Sequence, residues 1–372
     1  MRVELTQMSE KNIDYLMGRE KTPREIVEFL KEEAVIRKFS DTLRRIYQKD
    51  DLVWRLTDGI SRSSGEETGS VARKVRNWLS DRNIPQNRET LFQICFSLDM
   101  GTEETEKILR MTSESGIHYR NPKEVVYAYA LKKKLSYEAA QNLLQKVTEI
   151  EGESESGKEE DTRFYTQLIM DELKDVDSTE ELAEFFRRNK GRMGELHNTA
   201  YRKFRELMRR LKSPEGAEQE SRYGMNRISD RYLRLNVPLT KESADFTMLQ
   251  KIVKKYWPNS RKLQNMYTRK EDVSRKALIL LYTSFEFLLD EEQEEEDSFL
   301  DDDYLDDDPD TRLELRFENM NRILDECGMS RLDPCCPFDY LILYSMKTQE
   351  EEYMDEKIKA VIAELFDSEQ GE

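Results

Sequence analysis

Arg73, Lys74, Arg76 and Asn77 crowd into five positions, and their side chains are of the types that grip or read nucleic acid. A guanidinium can fork onto a guanine edge, a carboxamide can pair with adenine, and an ammonium can neutralise a phosphate. Ala72, Val75, Trp78 and Leu79 are interleaved with them at helical spacing. A helix over residues 71–79 would turn the apolar residues to a core and the four polar ones to a partner.

Other chemistry finds less support. His118 and His197 are the only histidines, and neither has a recognisable serine, cysteine or metal-ligand partner in the sequence. Nucleophilic and metal catalysis therefore lack a basis. Phosphate loops rich in glycine are absent. Cys327, Cys335 and Cys336 lie close together without a nearby histidine, so they read as small buried side chains rather than zinc ligands. An EF-hand loop opening at Asp301 would put Asp306 where glycine is needed and Arg312 where an acid is needed. The expectation is a non-enzyme without metal or cofactor.

The elements that would position the basic cluster follow from capping signals. Ser70 is placed to cap the helix over residues 71–79, and the polar stretch SRSSGEETGS, residues 61–70, reads as a long loop after a helix over residues 51–60. Residues 83–87 form a turn containing Pro85. Asn87 caps a further helix with Leu91, Phe92, Ile94, Cys95 and Leu98 as its apolar side. Gly101 and Thr102, followed by Glu103 and Glu104, open another, with acids at its positive end. This unit, about residues 50–111, resembles the lambda-repressor or Cro type of helix-turn-helix domain. The resemblance implies that the helix over residues 71–79 is a recognition helix and that Arg73, Lys74, Arg76 and Asn77 contact double-stranded DNA. The remaining chain resembles a family of bacterial helical proteins carrying a segment similar to LDECGMSRLDPCCPFDYLILY, which implies no activity.

The whole chain reads as all-α. Fourteen glycines and nine prolines among 372 residues leave little material for a turn-rich β fold. Thr22-Pro23-Arg24-Glu25 is a capping box with proline at the first helical position. Tyr201, Phe204, Leu207, Met208 and Leu211, then Leu313, Phe317, Met320, Leu324 and Cys327, and finally Met354, Ile358, Val361, Ile362 and Leu365 repeat at three and four residues. Gly328 is placed to end the second of these helices. Cys336-Pro337-Phe338-Asp339 reads as a turn into a helix over residues 340–346.

The length suggests more than one core. A helical domain over residues 1–150 is expected, then a linker over residues 151–160 that contains EGESESGK. Residues 161–372 follow as a helical region interrupted by an acidic loop at residues 290–310. Net charge is -17, unevenly spread: 20 basic against 9 acidic residues lie between 201 and 276, and 7 against 30 from 277 onward. The basic block, with Arg202, Lys203, Arg205, Arg209, Arg210 and Lys212 on one helix, could neutralise phosphates or pair with the acids that follow. No apolar run is long enough to cross a bilayer and no secretion signal precedes the first helix, so the expected setting is cytoplasmic. The functional expectation is a DNA-binding regulator whose C-terminal region binds a partner or itself. The alternative is a helical interaction or scaffold protein whose ligand is another protein and which does not bind DNA.

Overall fold

A computed structural model describes residues 7–85, 87–113, 115–149, 165–193, 198–212, 229, 233–235, 237–238, 246–284, 308–349 and 352–367. The expected linker at residues 151–160 and nearly all of the acidic loop at 290–310 lie outside the described residues. Helices α1 (Gln7–Leu16), α2 (Pro23–Glu32), α3 (Phe39–Ile46), α4 (Leu52–Ser64), α5 (Thr68–Leu79) and α6 (Arg88–Ser97) open the chain. There follow α7 (Thr102–Ser113), α8 (Pro122–Lys132), α9 (Tyr137–Thr148), α10 (Tyr165–Lys174), α11 (Thr179–Asn189) and α12 (Asn198–Lys212). The last six are α13 (Met248–Lys254), α14 (Ser260–Tyr267), α15 (Arg275–Thr283), α16 (Pro309–Glu326), α17 (Pro337–Met346) and α18 (Met354–Asp367). The protein is all-α, with no strand among the described residues. No helix among them is long and apolar enough to cross a membrane.

The chain divides into two compact units that do not follow sequence order. One comprises Met1–Arg37, Ala200–Cys327 and Arg331–Glu372; the other comprises Lys38–Thr199 with Gly328–Ser330. This division differs from a break near residue 150, because the first 37 residues group with the C-terminal helices. Helices α10 and α11 group with the segment before them.

The first unit is built on α17, which is buried along its whole length and touches α2, α13, α15, α16 and α18. A helix buried all round needs apolar residues on every side, and PFDYLILYSM supplies them. Its acid, Asp339, accepts both ends of the buried Arg275 guanidinium at 2.9 and 2.7 Å. Cys336 occupies the N-cap and Pro337 the first helical position, so the helix starts three residues before the expected one. The capping box of α2 forms as read: the Glu25 amide donates to the Thr22 hydroxyl at 3.3 Å, and the Thr22 amide to the Glu25 carboxylate at 2.8 Å. The apolar stripe of α18 is fully buried, and Gly328 takes the left-handed conformation just past α16. Leu313, Met320, Leu324 and Cys327 are buried as expected, and Phe317 is half-buried.

The second unit has one continuous core running from Phe39 to Met193. Helices α6 and α8 form its centre, buried on nearly every side, as their sequences LFQICF and VVYAYAL require. Phe92, Phe96, Tyr127 and Tyr137 meet edge to face or tilted, with ring centres 4.9 to 5.8 Å apart. Gly59 lets α4 approach α6: a Cβ there would sit 2.2 Å from the Ser97 hydroxyl.

Candidate nucleic-acid interface

Three residues, Gly65, Glu66 and Glu67, connect α4 to α5. The ten-residue loop expected over residues 61–70 is therefore corrected. Ser63 and Ser64 donate their hydroxyls back to the Ile60 carbonyl at 3.1 and 2.7 Å, which lets α4 run on through a serine-rich stretch. Gly65 then ends it at φ 71°, its amide bonded to the Ser61 carbonyl at 3.0 Å. A left-handed residue at this place favours glycine because it has no Cβ. Ser70 does not cap α5; it lies in the helix's first turn, and Glu67 is the N-cap without a side-chain bond.

Val71, Val75, Trp78 and Leu79 bury the inner face of α5, and Ala72 is half-buried rather than in the core. The C-terminal end is pinned to α3. The Ser40 hydroxyl donates to the Asp81 carboxylate at 2.7 Å, with Asp81 itself at φ 53°, and Arg44 donates to the Leu79 carbonyl at 3.3 Å.

The structure brings Arg73, Arg76 and Asn77 together as i, i+3 and i+4 neighbours on the outer face. Arg73, Lys74 and Arg76 are exposed, whereas Asn77 is half-buried, its carbonyl accepting the Arg82 amide at 2.9 Å as the chain turns away. Lys74 lies at the flank and is ion-paired with Glu66. Arg44 adds a cation at the C-terminal end of α5 that the sequence reading left out. Its position two helices away in sequence hid it, since only the α3 to α5 contact brings it there.

A second cluster joins the connection between α7 and α8 to the start of α8. The Ser115 hydroxyl and His118 Nε2 are 2.7 Å apart, with His118 Nδ1 3.8 Å from Glu124. The expectation that His118 has no serine partner is thus corrected; the S-x-x-H spacing was the available signal. Glu124 is already committed, accepting Arg88 Nε and Nη2 at 2.7 and 2.6 Å and the His118 amide at 2.8 Å. Its charge is spent on Arg88, and the arrangement ties the start of α6 to α8.

Beside α4 lies an open hollow of about 270 Å³ lined by Trp54, Arg62, Phe96 and Tyr137 among others. Its cations are paired within it, Arg55 with Asp99 and Arg62 with Asp58, so no uncompensated positive charge converges there. No group of histidine, cysteine and carboxylate side chains among the described residues could hold a metal. Cys327 and Cys335 are buried as expected, and Cys336 is half-buried. No family model matches this chain, and neither a curated protein nor a solved structure does.

Proposed function

We propose that the chain is a DNA-binding regulatory protein that docks α5 in the major groove of duplex DNA. The observation that carries this reading is the three-residue turn with left-handed Gly65 between α4 and α5. A turn of three or four residues, often with glycine, is what joins the two helices of a helix-turn-helix. Arg73 and Arg76 on the outer face supply forks for guanine, Asn77 a carboxamide for adenine, and Lys74 with Arg44 charges for phosphates. The other unit supplies the surface for a partner or for self-association.

The competing reading, a helical interaction or scaffold protein, has its own observation. Glu66 and Glu67 stand at the N-terminal end of α5, the end that reaches bases in a docked helix, and Glu66 already holds Lys74.

Fluorescence anisotropy of the full chain with a mixed-sequence duplex separates the two. DNA binding predicts salt-sensitive association that Arg73→Glu with Arg76→Glu weakens at least about tenfold, since each lost phosphate or base contact is worth roughly 1 kcal/mol or more. Glu66→Gln with Glu67→Gln should tighten it by removing repulsion and freeing Lys74. Absence of binding at low salt, or indifference to both pairs of changes, rejects the DNA reading in favour of the scaffold.

A further inference from the structure

The basic block of the other unit is arranged differently from an ordinary solvated surface. Helices α12 and α14 lie together, the Tyr201 hydroxyl donating to the Tyr267 carbonyl at 3.2 Å. Across this contact the cations are laid on tyrosine rings. The Arg205 guanidinium is 4.1 Å from the Tyr267 ring centre, and Arg269 is 4.6 Å from that of Tyr201. Farther along, Lys255 and Lys262 flank Tyr256 at 4.8 and 5.9 Å.

A ring face holds a cation in place without cancelling its charge, whereas a carboxylate would neutralise it. Glu326 pairs with α12 at Lys203, 3.0 Å away, and Glu206 is the one acid on α12 itself, set among four arginines and two lysines. Arg202, Arg205 and Arg209 are exposed and form no ion pair among the described residues. They fall at i, i+3 and i+7, one stripe of about 10 Å at a rise of about 1.5 Å per residue. Three arginines in one stripe offer up to three contacts to backbone phosphates.

We infer that the α12 to α14 face is a second nucleic-acid contact, gripping the sugar–phosphate backbone of a strand without reading its sequence. Two features favour phosphates over an acidic protein. The stripe is arginine, whose planar fork matches phosphate oxygens bidentately. The large exposed apolar residues of the described chain are Val53, Trp54, Leu168, Leu315 and Tyr353, none of them on α12 or α14. A protein interface would need such anchors at its centre, while backbone neutralisation needs charge alone.

The inference stands apart from the α5 reading and is tested where α5 is disabled. The full chain carrying Arg73→Glu and Arg76→Glu is titrated with a labelled single-stranded RNA 20-mer of mixed sequence. Three backbone contacts predict binding that weakens about 20-fold between 50 and 200 mM salt, from a slope of about 0.7 per contact. Adding Arg202→Glu, Arg205→Glu and Arg209→Glu should reduce affinity at least about tenfold, and the milder glutamine triple should give an intermediate loss with unchanged helical circular dichroism. Absence of strand binding at 50 mM salt overturns the inference, as does a strand affinity indifferent to the triple change. Tighter binding of polyglutamate than of RNA, charge for charge, also overturns it and assigns the face to an acidic protein. Duplex binding by the chain altered only in α12 reports on α5 separately.

Discussion

Arg88 and Glu124 carry the most testable pair in the second unit. Glu124 is 6% exposed and accepts two bonds from Arg88, so Arg88→Ala would strand a buried carboxylate. Removing one member of a buried pair typically costs about 3 kcal/mol or more, because the other charge stays unpaired. The expected result is a lower denaturant midpoint at unchanged slope. Arg88→Met combined with Glu124→Leu should recover most of the loss; a single mutant within about 0.5 kcal/mol of the parent would deny the pair its anchoring role. Cys95 and Cys327 give a pH prediction. Burial pushes both thiols up from 9.0 to about 12, so the folded state keeps protons that the unfolded state releases. Their contribution is fully present below about pH 9 and is lost as pH rises from there toward about 12. Both should resist a thiol reagent at pH 8 until the protein is unfolded, and rapid native labelling of Cys95 would contradict its burial.

At the scale of elements, the helices were legible wherever a cap and an apolar stripe coincided. Thr22 and Asn87 cap as their neighbours implied, Asn87 accepting the Thr90 amide at 2.7 Å. The α4 to α5 connection was not legible. Serine, threonine and glycine each disfavour helix weakly, and ten residues of such composition read as a loop. Burial of Ile60 before the turn and Val71 after it outweighed that preference and drew the helices to within three residues of each other. Arg73, Lys74 and Arg76 face outward because their positions oppose Val71, Val75 and Trp78 on the helix, whereas the pairing of Lys74 with Glu66 depends on how tight the turn is. The two glycines of α4 and its turn should respond differently to alanine. At Gly65 a Cβ meets nothing within 4 Å, so Gly65→Ala costs only the left-handed backbone, about 1 to 2 kcal/mol. At Gly59 the same Cβ would lie 2.6 Å from the Ser97 Cβ and 3.2 Å from its Cα, which forces α4 and α6 apart. Gly59→Ala should therefore lower the thermal midpoint more than Gly65→Ala, and the reverse order would show that α6 yields readily.

At the scale of the molecule, the composition signals marked polar stretches without saying which segments group across them. The stretch EGESESGK marks a place where nothing large can be buried, yet α10 and α11 beyond it share the core of the segment before it. The reason lies in tertiary contacts of the N-terminus that have no local signature. Asn12 donates to the Val35 and Pro334 carbonyls at 2.9 Å each, and Lys347 to the Leu16 and Gly18 carbonyls at 2.8 and 2.7 Å. Helix α2 lays Ile26, Val27, Phe29 and Leu30 against α18 and α17. Deleting residues 1–37 would expose those faces and strip the buried Lys347 of both carbonyls, a loss far larger than removal of an exposed tail. Hydrogen exchange on the truncated chain should then show the amides of α17 and α18 losing protection while those of α6 and α8 keep theirs. If α17 stays as protected as in the full chain, the N-terminal segment is an accessory to that unit rather than part of its core. If α6 and α8 lose protection as well, the two units fold as one, and duplex-binding tests of α5 must be made on the intact chain alone.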